Sequence, residues 1–147
     1  MLVLDANILI RAVLGRRVRQ LLEDYAAQGF RFYAPDVAYS DAERYLPALL
    51  AKRGIIDADV PLAIEYLRTL VESVELDVYQ SFQTDALERL RGRDQEDWPV
   101  LAAALALGCP LWTEDSDFFG TGIAVWTTRN VEIALRAQQR LFEPHEP

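Results

Sequence analysis

Carboxylates recur at the ends of apolar runs in this chain. Asp5 closes Leu2-Val3-Leu4, and Asp115 and Asp117 follow Leu111-Trp112-Thr113. Glu43 and the group Asp94-Gln95-Glu96-Asp97 lie between them. A charge at the end of a buried strand is costly unless it is paired. Several such charges at one place require a cation. Magnesium and manganese suit an all-oxygen site of this kind, with a few carboxylates and several waters. Two such ions roughly 3.5–4 Å apart activate a water and stabilise the leaving oxygen of a phosphodiester. Other chemistries lack their residues. One cysteine, Cys109, and one histidine, His145 in the tail, cannot build a zinc site or a histidine-assisted nucleophile. No Gly-rich phosphate loop is present.

Short apolar strands alternate with longer helical patterns, which predicts an α/β fold around a parallel sheet. Leu2 to Leu4 is continuously apolar, as a central strand covered on both faces would be. Further strands are expected at Phe30–Ala34, Val74–Val78, Pro110–Thr113 and Ile123–Thr127. Helices are expected at Asn7–Leu14, around Val18–Tyr25, from Pro35-Asp36 to Lys52, over Pro61–Ser73, over Ser81–Leu90, from Pro99 to Leu107, and after an Asn130 cap. The Pro61–Ser73 helix carries a large apolar face, which either covers the sheet or meets a partner. Residues 1–142 read as one domain and residues 143–147 as a disordered tail.

Ligands of open parallel sheets bind outside the carboxyl ends of the strands. Asp5 and Asp115 both follow expected strands, so adjacent central strands would bring them together. Asn7 caps the helix after Asp5 or fixes Asp5 by a hydrogen bond. Glu43 borders the packed stripe of Leu46 and Leu50, whereas Asp41 shares a stripe with Tyr45, Ala48 and Lys52 and reads as solvated. Asp36 reads as an N-cap. Asp97 shares a stripe with Leu101, Ala104 and Gly108, and this favours it over Asp94 as an inward acid. Each acid taken singly also fits a cap or a surface ion pair.

The net charge of −8 over 147 residues is the wrong sign for broad phosphate contact. A metal-dependent nuclease tolerates it, because acids are needed inside the site and bases only at the rim. Fourteen of the fifteen basic residues are arginine, which suits bidentate phosphate contacts. Arg11, Arg16 and Arg17 follow the Asp5 strand and are candidate phosphate contacts, or a solvated helix face. No apolar run is long enough to span a membrane. The lone cysteine and the lack of a signal peptide point to the cytoplasm.

The order of these motifs resembles PIN-domain nucleases, including VapC-type toxins. The residues that carry it are Leu2-Val3-Leu4-Asp5-Ala6-Asn7, Ala42-Glu43-Arg44, the stretch from Asp94 to Ala104, and Leu111-Trp112-Thr113-Glu114-Asp115-Ser116-Asp117-Phe118. The resemblance spans Met1 to about Leu141. It implies a three-layer α/β/α sandwich with a central parallel sheet. It implies metal ligation by Asp5, Glu43, Asp97 and Asp115, assisted by Asp117, with Asn7 and Thr113 supporting the acids and Asp94 competing with Asp97. It also implies a magnesium- or manganese-dependent ribonuclease acting on RNA, a homodimer and, in the toxin branch, an antitoxin partner. The alternative is a catalytically silent PIN-like interaction module. A phosphatase using Asp5 as nucleophile is weaker, because Asn7 stands where a second acid would be needed.

Overall fold

A computed structural model of the chain describes residues 1–142. The expected tail and His145 fall outside the described residues. Five parallel strands form one sheet: β1 (Leu2–Leu4), β2 (Phe32–Pro35), β3 (Val71–Val74), β4 (Leu111–Trp112) and β5 (Val125–Trp126). Their spatial order is β3-β2-β1-β4-β5, which puts the short apolar β1 in the middle.

Side chains alternate across a strand, and the core divides accordingly. Leu2, Leu4, Phe32, Ala34 and Trp112 face one layer of helices. That layer holds α1 (Ala6–Leu14), α2 (Arg16–Ala27), α3 (Asp36–Lys52), α4 (Val60–Leu70) and α8 (Thr128–Phe142). Val3, Tyr33 and Leu111 face the other, built from α5 (Leu76–Tyr79), α6 (Gln83–Arg89) and α7 (Trp98–Leu107). These are the three layers of the expected sandwich. Among the described residues no helix is long and apolar enough to cross a membrane.

Three readings differ from the structure: the third strand, whose expected later half is helix α5; the cap of the last helix; and Asp36, which is the first residue of α3 after a Pro35 cap. The third strand is Val71–Val74 rather than Val74–Val78, and the helix before it stops at Leu70. Helical spacing runs on through Val71, so periodicity alone does not mark the change. The sheet marks it: Val71 turns extended, with φ −126° and ψ 111°, and pairs with Phe32. The Tyr39 hydroxyl also donates to the Val71 carbonyl and pins β3 against α3. The second difference is at the last helix. Asn130 lies inside α8, and the Thr127 hydroxyl oxygen accepts from the Asn130 amide at 3.3 Å.

Helix α7 sits hard against the sheet. Leu101, Ala102, Ala103 and Ala104 are fully buried, and the alanines let its backbone approach closely. This sets the depth at which Asp97, just ahead of α7, is presented. Ala103→Leu should therefore destabilise the protein by about 1–3 kcal/mol through overpacking. Urea unfolding measures this, and an unchanged midpoint would show that α7 is not closely packed.

Candidate active site

Sheet register builds the first part of the site. Leu4 pairs with Trp112 across β1 and β4, so the next residues on each strand, Asp5 and Thr113, emerge side by side. Asp5 is only 6% exposed. One of its oxygens, Oδ1, accepts from the Ile8 amide at 3.0 Å and so caps α1. The other, Oδ2, accepts from the Thr113 hydroxyl. The Thr113 oxygen in turn accepts from the Asp115 amide at 3.0 Å. Asp115 Oδ1 accepts from the Asp117 amide at 2.9 Å. One chain of hydrogen bonds thus runs from the buried end of β1 into the loop after β4. Burial pushes the Asp5 carboxyl above its ordinary range, and its two hydrogen bonds oppose that only in part.

The second part arrives from the other helical layer. Asp97 occupies the N-cap position of α7, yet its side chain makes no cap hydrogen bond. Its carboxylate is half-buried and stands with Asp115 and Asp117, each offering an oxygen within 4.8 Å of the others. Desolvation, followed by the charges of Asp94, Asp115, Asp5 and Asp117, pushes Asp97 up to about 7. Asp94 is exposed and caps the turn before α7, accepting from the Glu96 amide at 3.0 Å.

The third wall belongs to α3. A cavity of about 180 Å³ is lined by Asp5, Asn7, Asp97 and Asp115, and by Val37, Asp41 and Tyr45 across from them. Glu96 also reaches its edge. Here the structure departs from the sequence reading. Glu43 does not line the cavity, whereas Asp41, exposed as expected, does. Glu43 lies half-exposed 3.7 Å from Arg68, whose guanidinium also covers the Tyr39 ring at 4.3 Å. Both acids sit near the packed stripe, on opposite flanks of it, and only the direction of the neighbouring strands decides which flank meets β1. One signal for Asp41 was available: Val37, Asp41 and Tyr45 recur every fourth residue, so they form a single helix stripe.

The remaining candidates are scattered. Asn7 lines the cavity but does not cap α1, because Asp5 takes that place. Arg11 is exposed on α1, near enough for its charge to favour ionised Asp5. Arg17 is held by Glu132 of α8, with Nη2 donating at 3.0 Å, and Arg16 is exposed at the start of α2.

The donors at this site are carboxylate oxygens, and Asp97 in particular is uncapped, crowded and half-desolvated. That donor set fits a hard divalent cation, whose charge would relieve the mutual repulsion. The family model described as PIN domain matches residues 3–136. No curated protein matches the chain.

The raised Asp97 carboxyl binds its proton more tightly in the folded than in the unfolded state. Stability of the metal-free protein should therefore rise as pH falls from about 7 toward the ordinary carboxylate range. Asp97→Asn should weaken that dependence, leaving the part that buried Asp5 contributes, and raise the metal-free Tm near pH 8 by roughly 3 °C. Calorimetry of both proteins without metal tests this, and parallel Tm–pH curves would contradict it.

Proposed function

Because the chain belongs to the PIN domain family, we propose that it is a magnesium- or manganese-dependent endoribonuclease and the toxin of a toxin–antitoxin pair. Its family is one of nucleases that act on nucleic acid with divalent metal ions. The observation that carries the reading is the meeting of Asp97, Asp115 and Asp117 from two separate segments beside buried Asp5. Such a set is unfavourable without a cation and useful with one.

Asp97, Asp115 and Asp117 would hold the metal together with Asp5, and Asp41 would close the set from α3. Glu43 stands apart, beside Arg68. When bound, the cation supplies Lewis-acid polarisation of the phosphate and a lower pKa for water. The chain's own residues prepare the site. Thr113 holds Asp5 Oδ2, and the Ile8 amide holds Oδ1, which leaves the carboxylate rigid with unused lone pairs toward the cavity. With its carboxyl pushed up to about 7, Asp97 would be about half protonated near neutral pH without a cation and would release that proton on binding one.

Features of the rim support a nucleic-acid substrate. Tyr45 is 51% exposed in the cavity wall and offers a face on which a base can stack. Arg11 is the arginine nearest the acids among those expected to hold the RNA backbone. The exposed apolar side chains Ile55, Ile56, Leu62 and Tyr66, on α4 and the turn before it, support a face covered by an antitoxin or a second copy. A cytoplasmic location and a homodimer belong to the same reading.

Thermal melting with Mn²⁺ should show a saturable rise in Tm, with a higher midpoint near pH 6 than near pH 8 because the Asp97 proton competes. Asp5→Asn and Asp97→Asn should abolish cleavage of a mixed-sequence single-stranded RNA while the far-UV spectrum is retained. Asp41→Asn should slow cleavage by roughly tenfold or more, whereas Glu43→Gln should leave it near the parent rate. Retained cleavage in Asp97→Asn would overturn the active-site assignment. No Mn²⁺ response would leave the silent interaction module as the better reading. Induced expression of the parent, but not of Asp97→Asn, should arrest bacterial growth if the chain is a toxin.

A further inference from the structure

Asp97, Asp115 and Asp117 carry charge of the same sign within a few ångströms and push one another apart. Asp97 comes from the connection between α6 and α7, while Asp115 and Asp117 come from the loop after β4. Something other than the acids must keep these two segments at a fixed distance. The Asp115–Asp117 hydrogen bond lies within one segment and cannot do so.

We propose that Arg93 is a positioning residue for the acid site, holding the loop of Asp115 and Asp117 against the segment that carries Asp97. Its Nη1 donates to the Asp117 carbonyl at 2.6 Å and also to the Phe119 carbonyl. Arg93 is four residues before Asp97, so one guanidinium ties the two acid-bearing segments together. Arg89, one turn earlier, extends the clamp: its Nη1 donates to the Thr121 carbonyl at 2.8 Å. The carbonyls of residues 117, 119 and 121 are thus all taken by arginines of the α6–α7 side.

The loop sequence makes room for them. A Cβ on Gly120 would lie 3.2 Å from Arg93 Nη2, and one on Gly122 would lie 2.6 Å from Arg89 Nη1. Both glycines have positive φ, 80° and 89°, so the backbone there takes turns that side chains disfavour. Phe118, fully buried between them and Asp117, anchors the loop to the core, and the arginines fix its outer edge.

The choice of acceptor matters for chemistry. Among the described residues Arg93 forms no salt bridge, although Asp94, Glu96 and Asp97 follow it closely in the sequence. Its donors go to backbone carbonyls. A guanidinium on Asp97 or Asp117 would occupy the oxygens that a cation needs. A guanidinium on the carbonyls places the loop and leaves those oxygens available. Both bonds come from the one Nη1, so a lysine would keep a charged donor but lose the reach and planar geometry of the guanidinium, and would hold the two carbonyls less well.

This inference rests on the metal-site reading above, and its test separates the two. Arg93→Ala and Arg93→Lys are compared with the parent for metal-free Tm, for the Mn²⁺ concentration at half-maximal Tm rise, and for amide exchange over residues 115–122. Arg93→Ala should raise the Mn²⁺ midpoint by about tenfold and speed exchange in that loop. Arg93→Lys should recover part of both. A purely structural role would lower the metal-free Tm and leave the Mn²⁺ midpoint unchanged, and that result would overturn the proposal. If Arg93→Ala fails to fold, the Arg93→Lys midpoint carries the same decision. A parent without any Mn²⁺ response would overturn the metal-site reading, and unaltered loop exchange in Arg93→Lys and Arg93→Ala would overturn the clamp.

Discussion

The structure depends on how one buried carboxylate is kept. Asp5 ends the central strand with almost no exposure, where a bare charge is costly. Two donors make it tolerable: the Ile8 amide in the first turn of α1, and the hydroxyl of Thr113 from the neighbouring strand. The same two contacts set the direction of α1 and the register of β1 on β4. Because Thr113 then accepts from the Asp115 amide, the solution for one charge also aims the loop that carries the next two.

Around that fixed point, three segments arrive with charge of the same sign. Asp97 comes from the helical layer opposite to α1 and α3, and Asp41 comes from α3. Their mutual repulsion is held by neutral packing at a distance. The buried alanines of α7 seat Asp97 close to the sheet, and Phe118 seats the loop of Asp115 and Asp117. The arginines that touch this loop bind its carbonyls rather than its acids. Among the described residues no salt bridge reaches Asp5, Asp97, Asp115 or Asp117, so the concentrated acids favour a cation among them. The overall charge of −8 is consistent with this, since the favourable charge for a phosphate substrate would enter with the metal.

What could be read from the linear chain followed from local physics. Continuous apolarity marked β1 as central, and strand–helix alternation marked the parallel sheet. Asp5 and Asp115 follow expected strands, which puts them at the carboxyl edge, and the packed stripe of Leu101, Ala104 and Gly108 marks Asp97 as an inward acid. Where two local readings were equally good, the chain alone chose badly. Helical spacing continued through Val71, and only pairing with Phe32 turned that residue into strand. Asn130 looked like a cap, and Thr127 serves instead.

The acids on α3 show the limit most clearly. Asp41 and Glu43 flank the same buried stripe, and residue type and spacing do not tell which flank meets the neighbouring strand end. The crossing of α3 over β2 and α4 decides it, turning Glu43 to Arg68 and Asp41 to the cavity. Arg93 is similar: in sequence it is one more arginine in a polar turn, and its backbone acceptors lie 24 and 26 residues away. Sequence by itself determined which elements form and which acids end them, because periodicity, apolarity and capping act over a few residues. Only tertiary structure decided which of those acids face one another and what holds them there, because helix orientation and loop carbonyls are set by packing between segments far apart in the chain.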